Sequence, residues 1–233
     1  MNISKDLGRL EDTHIHKGMR RKLIAELRNK KVFDERILSV MSKVPRHQFV
    51  PKGFDSWAYQ DVAFPIGSDQ TISQPYTVAF QTQLLDIKSG DKILEIGTGS
   101  GYQAAILSEL GAKVYTLERQ ESLYHQTAST LKKMGYHTIR CYLRDGFEGL
   151  PKHAPFDKII ITCGAPNVPP MLLEQLKEHG VMIIPVNEGS DQVMKRIFKR
   201  PENRLEVEAH GLFRFVPFLE GLNKKQTPNF TKP

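Results

Sequence analysis

Near the start of the chain, Met19, Leu23, Ile24 and Leu27 recur at helical spacing with basic residues between them, which predicts an amphipathic helix. Asp34 stands where a carboxylate can cap a second helix carrying Ile37, Leu38 and Met41. Pro45 should end that helix, because the residue before a proline is driven out of the helical region. Between 51 and 75 the periodicity disappears. Pro51, Gly53, Pro65, Gly67 and Pro75 punctuate this stretch, so it reads as a long loop closed by Gln70-Thr71-Ile72-Ser73-Gln74-Pro75. A helix over 76–85 follows. From Lys92 onward strand and helix patterns alternate. Strands are predicted at 92–96, 113–118, 138–143, 156–163 and 181–186. Helices are predicted at 102–110, 121–134 and 170–179, stopped by Gly111, Gly135 and Gly180. The unbroken Ile159-Ile160-Ile161 run suits a strand covered on both faces. Three more strands, 192–199, 205–210 and 211–218, are joined by connections too short for a crossover helix and should pair antiparallel. Residues 222–233 are polar and read as a frayed tail.

Alternating βα units imply an α/β fold: a doubly wound, mostly parallel sheet of Rossmann-like type, with antiparallel C-terminal strands and an N-terminal helical appendage. Ligand should bind outside the carboxyl ends of the strands, where the strand order reverses. The expected division is an appendage and substrate loop at 1–75, a ligand-binding domain at 76–221 and a tail at 222–233.

Composition narrows the picture in three ways. A chain of 233 residues, 39% apolar and 25% charged, is globular and large enough to hold its core without a staple. Its two cysteines, Cys141 and Cys163, form no CxxC pair, so neither a disulfide scaffold nor structural zinc is expected, and a reducing, cytoplasmic setting fits. No apolar run approaches the ~18 residues of a membrane span, and the N-terminus lacks a signal pattern. The net charge of +7 comes wholly from the first 52 residues. That charge is spread out and no aromatic residues interleave it, so it reads as a solvated helix face and nucleic acid is not an expected partner.

The chemistry starts at Glu95-Ile96-Gly97-Thr98-Gly99-Ser100-Gly101, a glycine run between a strand and a helix, where a ligand can approach the backbone closely. The stretch from Gly99 to Ala104 also satisfies a loose G-x-G-x-x-A, so spacing alone leaves a dinucleotide open. Three features pull the other way. The glycines read as G-x-G-x-G directly after the acidic Glu95. Glu118 ends the second strand, where it can accept hydrogen bonds from ribose hydroxyls. Asp145-Gly146 follows the third strand, beside an expected adenine. Enzymes that use S-adenosylmethionine combine these elements, and an acidic Glu95 suits a cationic cofactor that has no pyrophosphate.

The chain resembles the protein-L-isoaspartate O-methyltransferases from about residue 34 to 221. The likeness is carried by Val44-Pro45-Arg46-His47-Gln48-Phe49-Val50-Pro51, Pro65-Ile66-Gly67, Gln70-Thr71-Ile72-Ser73-Gln74-Pro75-Tyr76, Leu94-Glu95-Ile96-Gly97-Thr98-Gly99-Ser100-Gly101-Tyr102-Gln103, Ile184-Pro185-Val186 and Arg214-Phe215-Val216-Pro217-Phe218. The Thr-Ile-Ser-x-Pro element is the specific part, because methyltransferases in general share the glycine loop but lack it. The resemblance implies methyl transfer from S-adenosyl-L-methionine, leaving S-adenosyl-L-homocysteine, to the α-carboxylate of L-isoaspartyl residues in damaged proteins and peptides. It implies Ser73 as the active-site residue. It implies Glu95, Gly97, Thr98, Gly99, Gly101, Glu118, Asp145 and Gly146 as cofactor contacts, and Gln70, Thr71, Ile72, Val216 and Pro217 at the substrate, the last two and the 67–75 loop acting as lids. Where some members carry histidines after Ser-x-Pro this chain has Tyr76 and Val78, which resembles the bacterial pattern, and Arg144 stands where many members have glycine.

A carboxylate of pKa about 3.9 is already ionised at neutral pH, so no general base is needed and Ser73 is expected to orient it by donating a hydrogen bond. The 67–75 segment has no G-x-S-x-G elbow. His14 and His16 show no third ligand, so no metal is expected. Trp57 and Tyr59 read as packing residues of the appendage. A monomer is expected. The competing reading is a methyltransferase of the same fold acting on a small molecule or RNA.

Overall fold

A computed structural model of the chain describes residues 11–30 and 32–224. Thr13 opens α1 (His14–Asn29) by accepting a hydrogen bond from the His16 amide, and the helix buries Leu23, Ile24 and Leu27, as their spacing predicts. Asp34 caps α2 (Glu35–Lys43) by accepting from the Arg36 amide, and Val44 is extended before Pro45. Much of the N-terminal positive charge is locally paired, Arg20 with Asp12, Arg28 with Glu35, Lys30 with Glu26 and Asp61, and Arg36 with Asp34.

The expected 51–75 loop contains structure. β1 (Phe64–Gly67) and β2 (Gln70–Ile72) form an antiparallel hairpin. Its two-residue turn, Ser68-Asp69, has φ of 52° and 55°, the left-handed values that match the twist of paired strands. Pro65 is tolerated because the ribbon has only two strands and both are edges. The hairpin leads into α3 (Pro75–Leu85).

The main sheet has seven strands in the order β5-β4-β3-β6-β7-β8-β9. β3 (Lys92–Ile96), β4 (Lys113–Glu118), β5 (Arg140–Leu143), β6 (Phe156–Ile161) and β7 (Leu176–Glu188) run parallel, while β8 (Asp191–Lys199) and β9 (Leu205–Phe213) add antiparallel. α4 (Tyr102–Glu109) and α5 (Glu121–Lys133) link the first three of these strands. β6 is buried on both faces: Ile159 and Ile161 join one core cluster and Ile160 another.

Two boundaries differ from the sequence reading. The predicted helix 170–179 is only α6 (Pro170–Glu174), so Gly180 is not its cap. Gln175 ends it. Its carbonyl accepts from the Phe156 amide, its side chain accepts from the Leu150 amide, and it donates to the Glu148 and Met171 carbonyls. β7 then starts at once, with residues 177–180 bulging between the pairs Phe156–Leu176 and Lys158–Val181. Second, the predicted strands 205–210 and 211–218 are one strand, β9, bent by a bulge near Gly211 at φ 83°. The chain leaves the sheet after Phe213 and crosses its carboxyl end as a strap. Of the expected frayed tail, Asn223 is hydrogen-bonded to Arg119, Gln120 and Glu121, and 225–233 lie outside the described residues.

Candidate active site

Chain order reverses between β3 and β6, and a crevice of about 840 Å³, counting its open mouth, lies at the carboxyl ends of these strands. Its floor is the loop after β3. The amides of Gly97 and Thr98 both donate to the Leu117 carbonyl, which ties the loop to β4. Gly97 has φ 95°, and a side chain there would come within 2.6 Å of the Thr162 hydroxyl. That hydroxyl donates to the Ile96 and Gly97 carbonyls. The underside of the loop rests on α5: Thr127 donates to the Gly99 carbonyl at 2.6 Å, and Gly101 faces Thr127 and Leu131.

Glu118 ends β4 inside the crevice. One carboxylate oxygen accepts from the Gly99 amide and the other from the Gln120 amide, each at 2.9 Å. Burial raises its pKa, and these backbone donors oppose the rise. Glu95 lies deeper. It is fully buried, does not line the crevice, and neither carboxyl oxygen has a partner of hydrogen-bond geometry among the described residues. Burial pushes its pKa up to about 8; the Thr116 hydroxyl opposes this and the Glu118 charge adds to it.

The hairpin and α3 bring Gln70, Thr71, Ile72 and Ser73 to the same crevice. The Ser73 backbone is held from below by Arg46, whose Nη2 donates to the Ser73 carbonyl at 2.7 Å and whose Nε donates to the Ala58 carbonyl at 2.8 Å. This guanidinium is 1% exposed and sits 4.6 Å from the centre of the Tyr102 ring. The Ser73 hydroxyl makes no hydrogen bond among the described residues and is free to meet a ligand.

The strap closes the crevice from the other side with Val216, Pro217 and Phe218. It is pinned at several points. The Gly164 amide donates to the Val216 carbonyl, and the Phe218 amide to the Gly164 carbonyl, both at 2.8 Å. The Gly221 amide donates to Asp145 Oδ2 at 2.6 Å, and Arg119 donates to the Gly221 carbonyl at 2.9 Å. Phe218 stacks on Phe147 with ring centres 3.9 Å apart.

Of the residues singled out from the sequence, Ser73, Gln70, Thr71, Ile72, Gly97, Thr98, Gly99, Glu118, Gly146, Val216 and Pro217 line one crevice. Glu95, Gly101 and Asp145 stand behind it. Asp145 is engaged by the Phe147 and Gly221 amides. Arg144, marked in the sequence as standing where many members have glycine, lines the crevice as well, and so do Thr162 and Gln103, which the sequence does not single out, as it does not single out the part played by Arg46. Arg46 lay within a quoted motif, but nothing in its neighbours marks an arginine as buried. His16 does gain nearby donors, Asp12 and His47. Their ligand atoms lie within 4.8 Å of one another, and the protein already engages them: Asp12 is paired with Arg20 at 2.7 Å, His47 Nδ1 meets the Tyr59 hydroxyl at 2.7 Å, and the two imidazoles stack at 3.9 Å. Tyr59 is buried in the appendage, whereas Trp57 is 46% exposed against Phe64.

The sequence profile of the family described as Protein-L-isoaspartate(D-aspartate) O-methyltransferase matches residues 18–223. A protein-L-isoaspartate O-methyltransferase of Flavobacterium psychrophilum is 50% identical over 214 residues, covering 92% of this chain and all of that protein. One from Dictyoglomus thermophilum is 42% identical over 88% of this chain and 93% of its own length. A solved structure described as a protein-L-isoaspartate O-methyltransferase superposes with a TM-score of 0.80 at 28% identity, over 87% of this chain and 67% of that one. A Plasmodium falciparum structure, described as a beta-aspartate methyltransferase in complex with S-adenosyl-L-homocysteine, shares the fold at a TM-score of 0.76 and 21% identity, over 86% of this chain and 98% of its own. A profile matched from α1 to the end of the strap, and relatives half identical across nine-tenths of the sequence, establish that this chain belongs to the protein-L-isoaspartate (D-aspartate) O-methyltransferase family.

Proposed function

We propose that this chain methylates the α-carboxylate of L-isoaspartyl residues in damaged proteins and peptides, using S-adenosylmethionine and releasing S-adenosyl-L-homocysteine. The observation that carries the reading is the meeting, in one crevice, of an unpartnered Ser73 hydroxyl with the glycine loop and Glu118.

The residues suit this cofactor. Each Glu118 oxygen takes one backbone donor, which leaves lone pairs for ribose hydroxyls. Gly146 keeps open a place where a side chain would come within 2.4 Å of Ile96 and 2.8 Å of Phe218. Glu95, unpartnered beneath the loop, gains stability in its ionised form when a cation arrives above it. Gly97, Thr98, Gly99 and Gly146 are assigned to cofactor contact, with Gly101 and Asp145 shaping the loop and strap behind them.

When bound, S-adenosylmethionine supplies an electrophilic methyl group on a sulfonium. The substrate carboxylate needs no base, since it is ionised far above its pKa of about 3.9. Ser73 donates a hydrogen bond that orients it. Arg46 fixes the Ser73 backbone and so the direction of that hydroxyl. Gln70 to Ile72 and Val216-Pro217 wall the site and keep water from the two opposite charges, which otherwise would favour their separation. Holding the carboxylate in line supplies the entropic share of the rate. A single protomer contains the whole crevice, so a monomer suffices. Two free cysteines, Cys141 and Cys163, support a reducing compartment such as the cytoplasm.

The test is label transfer from methyl-tritiated S-adenosylmethionine to a peptide carrying one isoaspartate, with a normal aspartyl peptide as control. Wild type should label only the isoaspartyl peptide. Ser73→Ala should bind S-adenosyl-L-homocysteine as wild type does and turn over about 10- to 100-fold more slowly, as befits loss of one hydrogen bond to a charged group. Equal labelling of both peptides would overturn the function, and full turnover in Ser73→Ala would overturn the assignment of Ser73.

A further inference from the structure

Beyond Ser73 the crevice opens into a second hollow of about 340 Å³, counting its mouth, on the side away from the glycine loop. Thr71, Ser73, Thr162 and Val216 line both spaces, so the hollow adjoins the place where a group held at Ser73 would sit. Gln74 and Thr77 line it from α3, and Arg214 lines it from the strap. Arg214 is the one charged residue among the described residues that line it.

The position of Arg214 is fixed, while its charge is free to act. The next amide, Phe215, donates to Gln192 Oε1 at 2.8 Å, and the Val216 carbonyl accepts from Gly164, so the strap cannot drift from this wall. The guanidinium is 85% exposed and touches only Asp191 among the described residues, through Nε at 2.8 Å. Its terminal nitrogens remain available, and these are the donors that pair with a carboxylate.

On the reading given under Proposed function, the isoaspartyl residue at Ser73 is one link in a peptide, and the hollow is the adjoining space into which a neighbouring residue of that peptide must pass. We propose that the hollow is a substrate subsite in which Arg214 favours peptides bearing an acidic residue next to the isoaspartate. Arg214 is thus a specificity-determining residue, and Asp191 tempers it by holding part of its charge.

The test compares two isoaspartyl peptides of equal length, one flanked on both sides by glutamate and one by lysine, with wild type, Arg214→Glu and Asp191→Asn. An exposed pair of this kind changes affinity modestly. Wild type should therefore favour the glutamate peptide about threefold in kcat/KM, through KM. Arg214→Glu should abolish or reverse that preference. Asp191→Asn should strengthen it. The wild-type preference should fade in about 0.5 M salt, which screens exposed charges and would leave a purely structural effect unmoved. Binding of S-adenosyl-L-homocysteine checks that each variant is folded. If both peptides are methylated with a ratio that neither variant nor salt moves, the subsite is refuted while the reaction stands. If wild type methylates neither peptide, the reaction itself is refuted, and the subsite with it.

Discussion

At the scale of single residues, burial decides what two charged groups do. Burial lowers the pKa of the enclosed Arg46, but two carbonyls and an aromatic face meet its guanidinium, one of those carbonyls belongs to Ser73, and Nη1 alone lacks a partner among the described residues. Glu95 has no such partners. Its carboxyl titrates at about 8 in the folded protein against an ordinary 4.5, so the unfolded chain releases that proton first as pH rises. The ligand-free fold is therefore most favoured below about pH 4.5 with respect to this group, and loses stability as pH climbs to about 8. Glu95→Gln removes the titration. Its melting temperature should gain on wild type steadily from pH 5 to 8.5, by about 2–4 °C for each kcal/mol of relief. Scanning calorimetry of both proteins without cofactor, at several pH values, checks this; a constant gap between them would contradict it. The acidity of Glu95 beside the glycine run was legible from the sequence. Its depth was not, because neighbours in sequence do not reveal how many atoms from other strands will cover a side chain.

Among the elements, the strap shows how a few hydrogen bonds convert a strand end into a wall. Asp145 holds it from the β5 side by accepting the Gly221 amide, at 2.6 Å. Asp145→Ala should free that amide, and one hydrogen bond to a charged acceptor is worth about 1.5–3 kcal/mol. Exchange of the Gly221 amide should then quicken by roughly 10- to 100-fold, with weaker binding of S-adenosyl-L-homocysteine, while β3 and β6 amides keep their protection. Hydrogen exchange read by mass spectrometry decides the matter, and an unchanged strap would show that Asp145 does not hold it. The elements also show where periodicity succeeds and fails. α1, α2, α4, α5 and the central strands are each built on a local repeat, and they match the sequence reading closely. The β1–β2 hairpin lies where Pro65 and Gly67, which usually end strands, predict a loop, although a two-stranded ribbon tolerates both. The helical spacing over 170–179 is cut short because Gln175 bonds to Leu150 and Phe156 and Leu176 already pairs with Phe156 on β6.

For the whole molecule, the appendage and the sheet share one core. Leu23, Leu27, Ile37 and Leu38 pack in the same cluster as Tyr102 and Ile106 of α4 and Leu123 and Leu131 of α5. Two parts that bury each other's apolar surface should unfold together. Trp57, the single tryptophan, belongs to the appendage side, so its fluorescence reports on that part while far-ultraviolet circular dichroism reports on the helices and sheet. The two signals should share one midpoint in a urea titration, and separate midpoints would mean that the appendage folds on its own. The amino-acid sequence by itself determined the βα alternation, the glycine loop, the acidic strand ends and the Thr-Ile-Ser-x-Pro element, because each is a local spacing or a contiguous motif. Only the tertiary structure decided that Arg46 lies under Ser73, that Gly164 and Asp145 pin the strap across the crevice, and that Arg214 lines a hollow beyond it. Those relations join residues far apart along the chain, and they exist only once the sheet order brings β3, β6 and the C-terminal segment to one edge.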